Sequence, residues 1–307
     1  MRSQKVEERI VGGLSCSHCR VSDDGVAAQR RKSPPSVCDT SVLRGCHGSR
    51  AHGVIGSSQR GIVNRHAWCL FLRWERTVQT MNIDAIRRLV EFDTPTVANG
   101  LELLEVRDPS FGYTGPDIRC LMPEAGPRVG IAVTARMDTT SPGMDDPHSL
   151  FDDWLRLMVE VSDRHGGNLP IFAVIESVGV RPRYTVTIGD GMGTFMRMAG
   201  AVGYLTNGCI RDIEGVRGVP LPCWAAGLSP MHGKIRWLDV NSPVVIDGMT
   251  VHPGDVIHAD ENGTLAIPPG VADQVYARAL EVRRKEAALF DRLRAPEMDI
   301  RTHLGMR

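Results

Sequence analysis

Residues 184–212, YTVTIGDGMGTFMRMAGAVGYLTNGCIRD, decide the fold class. Residues 184–188 are β-branched or aromatic at most positions, which favours a strand, and they run directly into Gly189-Asp190-Gly191-Met192-Gly193, read as a loop. Residues 194–201 then read as a helix and residues 203–206 as the next strand, so Arg211-Asp212 falls in the turn after that strand. Strand, loop, helix, strand and turn make an α/β unit.

Working outward, organised sequence begins at Met81, after which Ile83, Ile86, Leu89 and Val90 share one helical face. A second helix is expected after Asp93 or Thr94, with Pro95 in its first turn and Val97, Leu101 and Leu104 facing inward. Residues 129–135 read as a strand. Asp145-Asp146-Pro147 supplies the acidic residues and proline that open a helix, and Leu150, Phe151, Trp154, Leu157, Met158 and Val161 then recur at helical spacing until Gly166-Gly167. Residues 171–175 form the following strand. Farther on, Asp247-Gly248 predicts a type I′ hairpin turn, and Asn262-Gly263 repeats the signal between residues 256–258 and 265–267. A closing helix spans about residues 271–293. The class is mixed α/β.

The hydrophobic content of 42% supports a sizeable core, and the 36 basic and 36 acidic residues cancel. That balance predicts neither nucleic-acid nor membrane attraction for the whole chain. Residues 1–80 differ from the rest: they hold 13 Arg plus Lys against 6 Asp plus Glu, five cysteines (Cys16, Cys19, Cys38, Cys46, Cys69) and no sustained period. They read as an unstructured extension, with Met81 as the expected true start and residues 81–307 as the folded domain. Cys16-x-x-Cys19 with His18, Cys38, Cys46 and His47 raises zinc, but the spacing after the first pair is irregular. Cys120, Cys209 and Cys223 show no metal or disulfide rhythm and read as reduced thiols. No apolar run reaches the length of a spanning helix and residues 67–72 are too short for a signal-peptide core, so a cytoplasmic location is expected.

The glycines at 189–193 let the backbone approach a ligand, and the start of the following helix offers N–H groups to an anion such as a carboxylate. A dinucleotide fingerprint would need glycine where Thr194 stands, and no Gly-Lys-Ser/Thr ending makes a Walker motif. Arg211-Asp212 sets a guanidinium beside a carboxylate able to hold a divalent metal. Only Lys234 and Lys285 of four lysines lie beyond residue 80, and Lys234 sits among Gly233, His232 and Arg236 in what reads as an exposed loop. A Schiff-base aldolase needs a desolvated lysine, so few candidates for that chemistry exist. His258 and Asp260 could bind a ligand, but such residues more often end a strand and satisfy turn amides. Trp154 reads as core or interface.

Gly189-Asp190-Gly191-Met192, Gly200-Ala201-Val202-Gly203 and Thr206-Asn207-Gly208-Cys209-Ile210-Arg211-Asp212 together resemble the RraA-like proteins. This family is named for a regulator of ribonuclease activity and includes metal-dependent 4-hydroxy-4-methyl-2-oxoglutarate aldolases. Weaker similarity runs from Asp93-Thr94-Pro95-Thr96-Val97 to the stretch ending at Asp260. The resemblance implies a swivelling β/β/α sandwich that assembles as a homotrimer or homohexamer, with sites near subunit interfaces. It implies that Arg211 binds the oxygens of pyruvate or its enolate and that Asp212 holds Mg²⁺ or Mn²⁺ largely through water. The amides of Gly191 and Met192, after Gly189, would hold the substrate carboxylate, and Asp190 would serve as base through a water. The implied activity is a lyase releasing pyruvate from a 4-hydroxy-2-oxo acid, with oxaloacetate decarboxylation through the same enolate.

One departure stands out. Family aldolases commonly carry an acid three positions after the metal aspartate; here that position is Gly215, with Glu214 beside it. The resemblance also implies a further glutamate from a neighbouring subunit, for which Glu281, Glu286 and Glu297 are candidates that no motif separates. Gly215 favours the alternative reading, a non-catalytic oligomeric protein that regulates a ribonuclease or another partner.

Overall fold

Between Arg128 and Asp138, Val129, Ile131, Val133, Ala135 and Met137 alternate with Gly130, Ala132, Thr134 and Arg136, which gives an extended chain one aliphatic face and one small or mixed face. The computed structural model describes residues 81–143, 150–296 and 298–306. Residues 1–80 with their cysteines, the helix opening at Asp145-Asp146-Pro147 and Glu297 lie outside the described residues.

In chain order the first elements are α1 (Ile83–Arg88), a 3₁₀ turn, α2 (Thr94–Glu102), β1 (Arg119–Cys120), β2 (Arg128–Asp138), α3 (Phe151–Asp163) and β3 (Ile171–Val178). The middle holds β4 (Val186–Ile188), α4 (Asp190–Met198), β5 (Ala201–Thr206), β6 (Cys209–Ile210), α5 (Ile213–Gly218), β7 (Cys223–Ala225) and β8 (Gly227–Leu228). Then come β9 (Arg236–Val240), β10 (Val244–Ile246), β11 (Met249–Val251), β12 (Val256–Asp260), β13 (Gly263–Ile267), α6 (Ala272–Leu293) and α7 (Ile300–His303).

An eight-stranded sheet has the order β1-β7-β5-β3-β2-β12-β13, with β9 also on β2. β2, β3, β5 and β7 are parallel neighbours, while β1, β9 and β12 join antiparallel. The length of β2 lets it serve two neighbours along one edge: residues 128–131 pair with β12 and residues 135–138 with β9. β4, β6 and β8 form a separate parallel sheet, and β10–β11 a hairpin.

The alternation along the strands feeds two cores. Ile131, Val133, Ile171 and Ala173 face Val97 and Leu101 of α2, Trp154 and Met158 of α3 and Val275 of α6 in one cluster. Ala132, Phe172, Val174, Leu205 and Trp224 form another with the hairpin residues Val244, Ile246, Met249 and Val251. Helices cover one face and a β-layer the other, which is the β/β/α layering expected. It also explains why the central strands read as continuous apolar runs.

Local signals place several boundaries. Asp93 Oδ1 accepts the Thr96 N–H at 2.7 Å, and Pro95 sits in the first turn of α2. Gly166 and Gly167, at φ +68° and +71°, follow α3, and Asp247 and Gly248, at +50° and +85°, make the I′ turn. Trp154 is fully buried, its indole N–H donating to the Val133 carbonyl at 3.2 Å. Among the described residues no helix is long and apolar enough to cross a membrane.

Three expectations are corrected. The stretch 189–193 is not a loop: Gly189 is the N-cap at φ −126°, and α4 begins at Asp190, ahead of the helix expected at Thr194. Of its three glycines only Gly189 is closely approached by a neighbour, and none of them has a positive φ. Cys209 and Ile210 form a strand of the small sheet, so Arg211-Asp212 follows β6 and not β5. In the second hairpin the turn is Glu261-Asn262, one residue early, because Asp260 Oδ1 accepts the Asn262 N–H at 2.8 Å and Gly263 takes φ +131° opposite Asp260.

His258 and Asp260 tie β12 to the start of α2 and to the 3₁₀ turn before it. Asp260 Oδ2 accepts the Thr94 N–H at 2.8 Å; His258 Nε2 meets the Leu89 carbonyl at 3.1 Å and its Nδ1 meets Thr94 Oγ1 at 3.0 Å. Burial holds the His258 pKa below the ordinary histidine value. The folded pKa thus lies under the unfolded one, about 6.5, and the unfolded chain takes the proton first. The His258 contribution is expected to be fully present above about pH 6.5 and to be lost as pH falls through the window beneath it. His258→Gln should flatten that part of a stability profile measured by denaturant midpoints; an unchanged slope would assign the dependence to other groups.

Candidate functional site

β4 and β6 are parallel neighbours, Ile188 paired with Ile210, and each leads into a helix at its carboxyl end. Such ends are where open α/β sheets collect ligands. The Arg211 N–H donates to the Ile188 carbonyl at 3.1 Å, tying the two exits together. Met196 of α4 and Val216 of α5 reach the main core, which anchors both helices behind the site.

Gly189 is extended before α4, while Asp212 precedes α5 at φ +55°, ψ +44°, a left-handed conformation that aspartate tolerates better than most residues. Arg211 Nε lies 3.1 Å from Asp212 Oδ2, with the side chains 40% and 43% exposed.

The two helix starts interlock through glycines. A Cβ on Gly189 would lie 2.6 Å from Asp212 Oδ2 and 3.2 Å from Arg211 Nε, and one on Gly215 would lie 2.5 Å from Asp190 Oδ2. A glycine in each unit therefore makes room for the aspartate of the other. Asp190 Oδ1 also accepts the Gly191 N–H at 2.7 Å. The first-turn amides of Gly191 and Met192, with the positive end of the α4 dipole, complete an anion-seeking corner.

The structure thus brings Gly189, Asp190, Gly191, Met192, Arg211 and Asp212 to two adjoining helix starts. Of the other candidates only Glu214 lies at those starts, in the first turn of α5. Glu214 pairs with Arg217 at 2.7 Å, and Glu281 pairs with Arg278 at 2.9 Å and Lys285 at 2.7 Å. Glu281 and Glu286 belong to α6, which packs on α1 and α2. Lys234 is exposed. A cavity of about 150 Å³ lies between α2 and the segment carrying Arg107, Phe111 and Tyr113, and no residue of the Arg211 cluster lines it. The cluster is an open surface feature, marked by its chemistry. Sequence reading missed the roles of Gly189 and Gly215 as seats for side chains, because those contacts join separate helices.

Among the described residues no group of three or more His, Cys, Asp or Glu is placed to hold a metal. The donors present, two exposed aspartates without thiolate or imidazole, fit a hard cation that keeps most of its water. Asp212 would be the holder.

Residues 94–266 match the family model described as RraA-like, Aldolase/RraA. Over 87 residues the chain is 34% identical to Protein DlpA of Legionella pneumophila, a match covering 28% of this chain and 14% of that one. Over 117 residues it is 26% identical to a Halalkalibacterium halodurans protein provisionally named 4-hydroxy-4-methyl-2-oxoglutarate aldolase, covering 38% of this chain and 56% of the relative. The chain therefore spans only part of the length of these two relatives. The crystal structure of Streptomyces coelicolor RraAS2, titled an unusual member of the RNase ES inhibitor RraA protein family, shares the fold with a TM-score of 0.55 at 21% identity, over 70% of this chain and 98% of that one.

Proposed function

This chain belongs to the RraA-like family, and from that premise we propose that it is a divalent-metal-dependent carbon–carbon lyase releasing pyruvate from a 4-hydroxy-2-oxo acid. Oxaloacetate decarboxylation would share the same enolate. The observation that carries this reading is the convergence of Arg211, Asp212 and Asp190 at the adjoining exits of β4 and β6.

The Gly191 and Met192 amides would take the substrate carboxylate, which displaces Asp190 Oδ1 from Gly191. Asp190 then faces the substrate hydroxyl and accepts its proton, directly or through one water. As the carbon–carbon bond breaks, its electron pair passes into the 2-oxo group and leaves pyruvate enolate. The planar Arg211 guanidinium meets that growing charge with two parallel N–H groups. Asp212 would carry Mg²⁺ or Mn²⁺ through water, and such an ion, when bound, would supply Lewis-acid stabilisation of the enolate oxygens. The enolate finally takes a proton on carbon to give pyruvate.

The exposed apolar residues on α4 and beside the small sheet, Phe195, Met198, Leu228 and Met231, support assembly as a homotrimer or homohexamer around the site. A neighbouring subunit would then supply the glutamate that this chain does not bring to the cluster.

The test is pyruvate release by the purified full chain across a panel of 4-hydroxy-2-oxo acids and oxaloacetate. Release is expected with Mg²⁺ or Mn²⁺, loss with chelator and recovery when metal is restored. No release from any acid would overturn the reading. The openness of the cluster favours a second one, an oligomeric regulator of a ribonuclease or another partner, which metal-independent partner capture without turnover would support.

A further inference from the structure

We propose that Gly215 is a positioning residue for Asp190. A Cβ at 215 would lie 2.5 Å from Asp190 Oδ2, 2.7 Å from its Cβ and 3.0 Å from its Cγ, so the side chain lies flat against the bare backbone of α5. Its other oxygen, Oδ1, is held by the Gly191 N–H at 2.7 Å. Without substrate the carboxylate is therefore held between the first turn of its own helix and the first turn of the next, and once a substrate carboxylate takes the Gly191 amide the seat on Gly215 is what remains.

Backbone conformation does not require glycine here. Gly215 is absent from the positive-φ glycines, and it lies inside α5, where alanine is the better helix former. What its glycine provides is space. A Cβ added at 215 meets Asp190, as that side chain lies in this chain, well inside van der Waals contact, and Asp190 is exposed and so able to give way towards solvent. That movement takes Asp190 off its seat on α5. In this chain the region beside Gly215 thus holds a carboxylate that comes from another helix.

The role of Asp190 as base rests on the function proposed above, whereas the contact with Gly215 does not, so two readouts are needed. The first is the ¹⁵N–¹H resonance of the Gly191 amide in the full-length protein. In Gly215→Ala it is expected to shift in the same direction as in Asp190→Asn, because both variants remove the carboxylate from that amide, while the melting temperature holds or rises. An unmoved Gly191 resonance overturns the proposal whatever the activity. The second is turnover with the best oxo acid. Gly215→Ala should lower kcat by about tenfold or more with KM held within about twofold, and it should add nothing to Asp190→Asn in the double variant. Additive losses would overturn the positioning role. Failure of the wild-type protein to release pyruvate would instead sink the proposed reaction and leave the Gly191 resonance to decide the seat.

Discussion

Arg211→Ala is expected to lower kcat/KM for pyruvate release by about two to three orders of magnitude, the loss seen when one preorganised charge-stabilising group is removed, roughly 2.7–4 kcal/mol. Folding should hardly change. The Arg211-Asp212 pair is 40% and 43% exposed, and exposed ion pairs contribute only about 0–1 kcal/mol. Arg211→Lys discriminates further, since it keeps the charge and loses the planar fork; only partial recovery is expected if two oxygens are bound at once. Steady-state kinetics with a thermal melt of each variant check the result. Activity of Arg211→Ala within about threefold of wild type, with the fold intact, would remove this residue from the chemistry.

The sequence made this residue visible because its partner is its neighbour in the chain. Arg211 and Asp212 are adjacent, and Gly189, Gly191 and Gly193 cluster within five residues of the same stretch, so both features can be seen without help from tertiary structure. The contacts of Asp190 with Gly215 and of Asp212 with Gly189 cross between helices and leave no trace in local spacing. Gly215 therefore read as a lost acid, whereas in the fold its bare backbone receives the carboxylate of Asp190.

The same division governs the fold. Elements announced by local chemistry stand where expected: Asp93 and Pro95 open α2, and Asp247-Gly248 turns the first hairpin. Where local signals compete, the reading slips. Three glycines within five residues read as a loop although α4 runs through them, and Asn262-Gly263 read as the turn although the Asp260 carboxylate draws it back by one residue. The division of the core was hidden for a different reason. In a strand buried on both faces, Phe172 and Val174 are as apolar as Ile171 and Ala173, so no alternation reveals that they serve opposite layers.

Trp224→Ala tests that second layer and should cost about 3–5 kcal/mol of stability, roughly a 6–20 °C fall in melting temperature for a domain of this size. Trp224 is fully buried on β7, between Leu205 of β5 and Cys120 of β1, with its ring 5.5 Å from that of Phe172. Its indole N–H donates to the Asp260 carbonyl at 2.7 Å, and the Asp260 side chain holds the Thr94 N–H that begins α2. Truncation would leave a cavity under the β10–β11 hairpin and remove the indole hydrogen bond to the end of β12. Trp224→Phe separates these effects, because it keeps an aromatic ring and loses the hydrogen bond; its loss should be smaller, with about 0.5–1.5 kcal/mol from that bond. Arg211 is carried by the separate β4-β6-β8 sheet, so the KM of the folded fraction should stay near wild type. A Trp224→Ala protein that unfolds within about 1 kcal/mol of wild type would show that the hairpin does not seal this face.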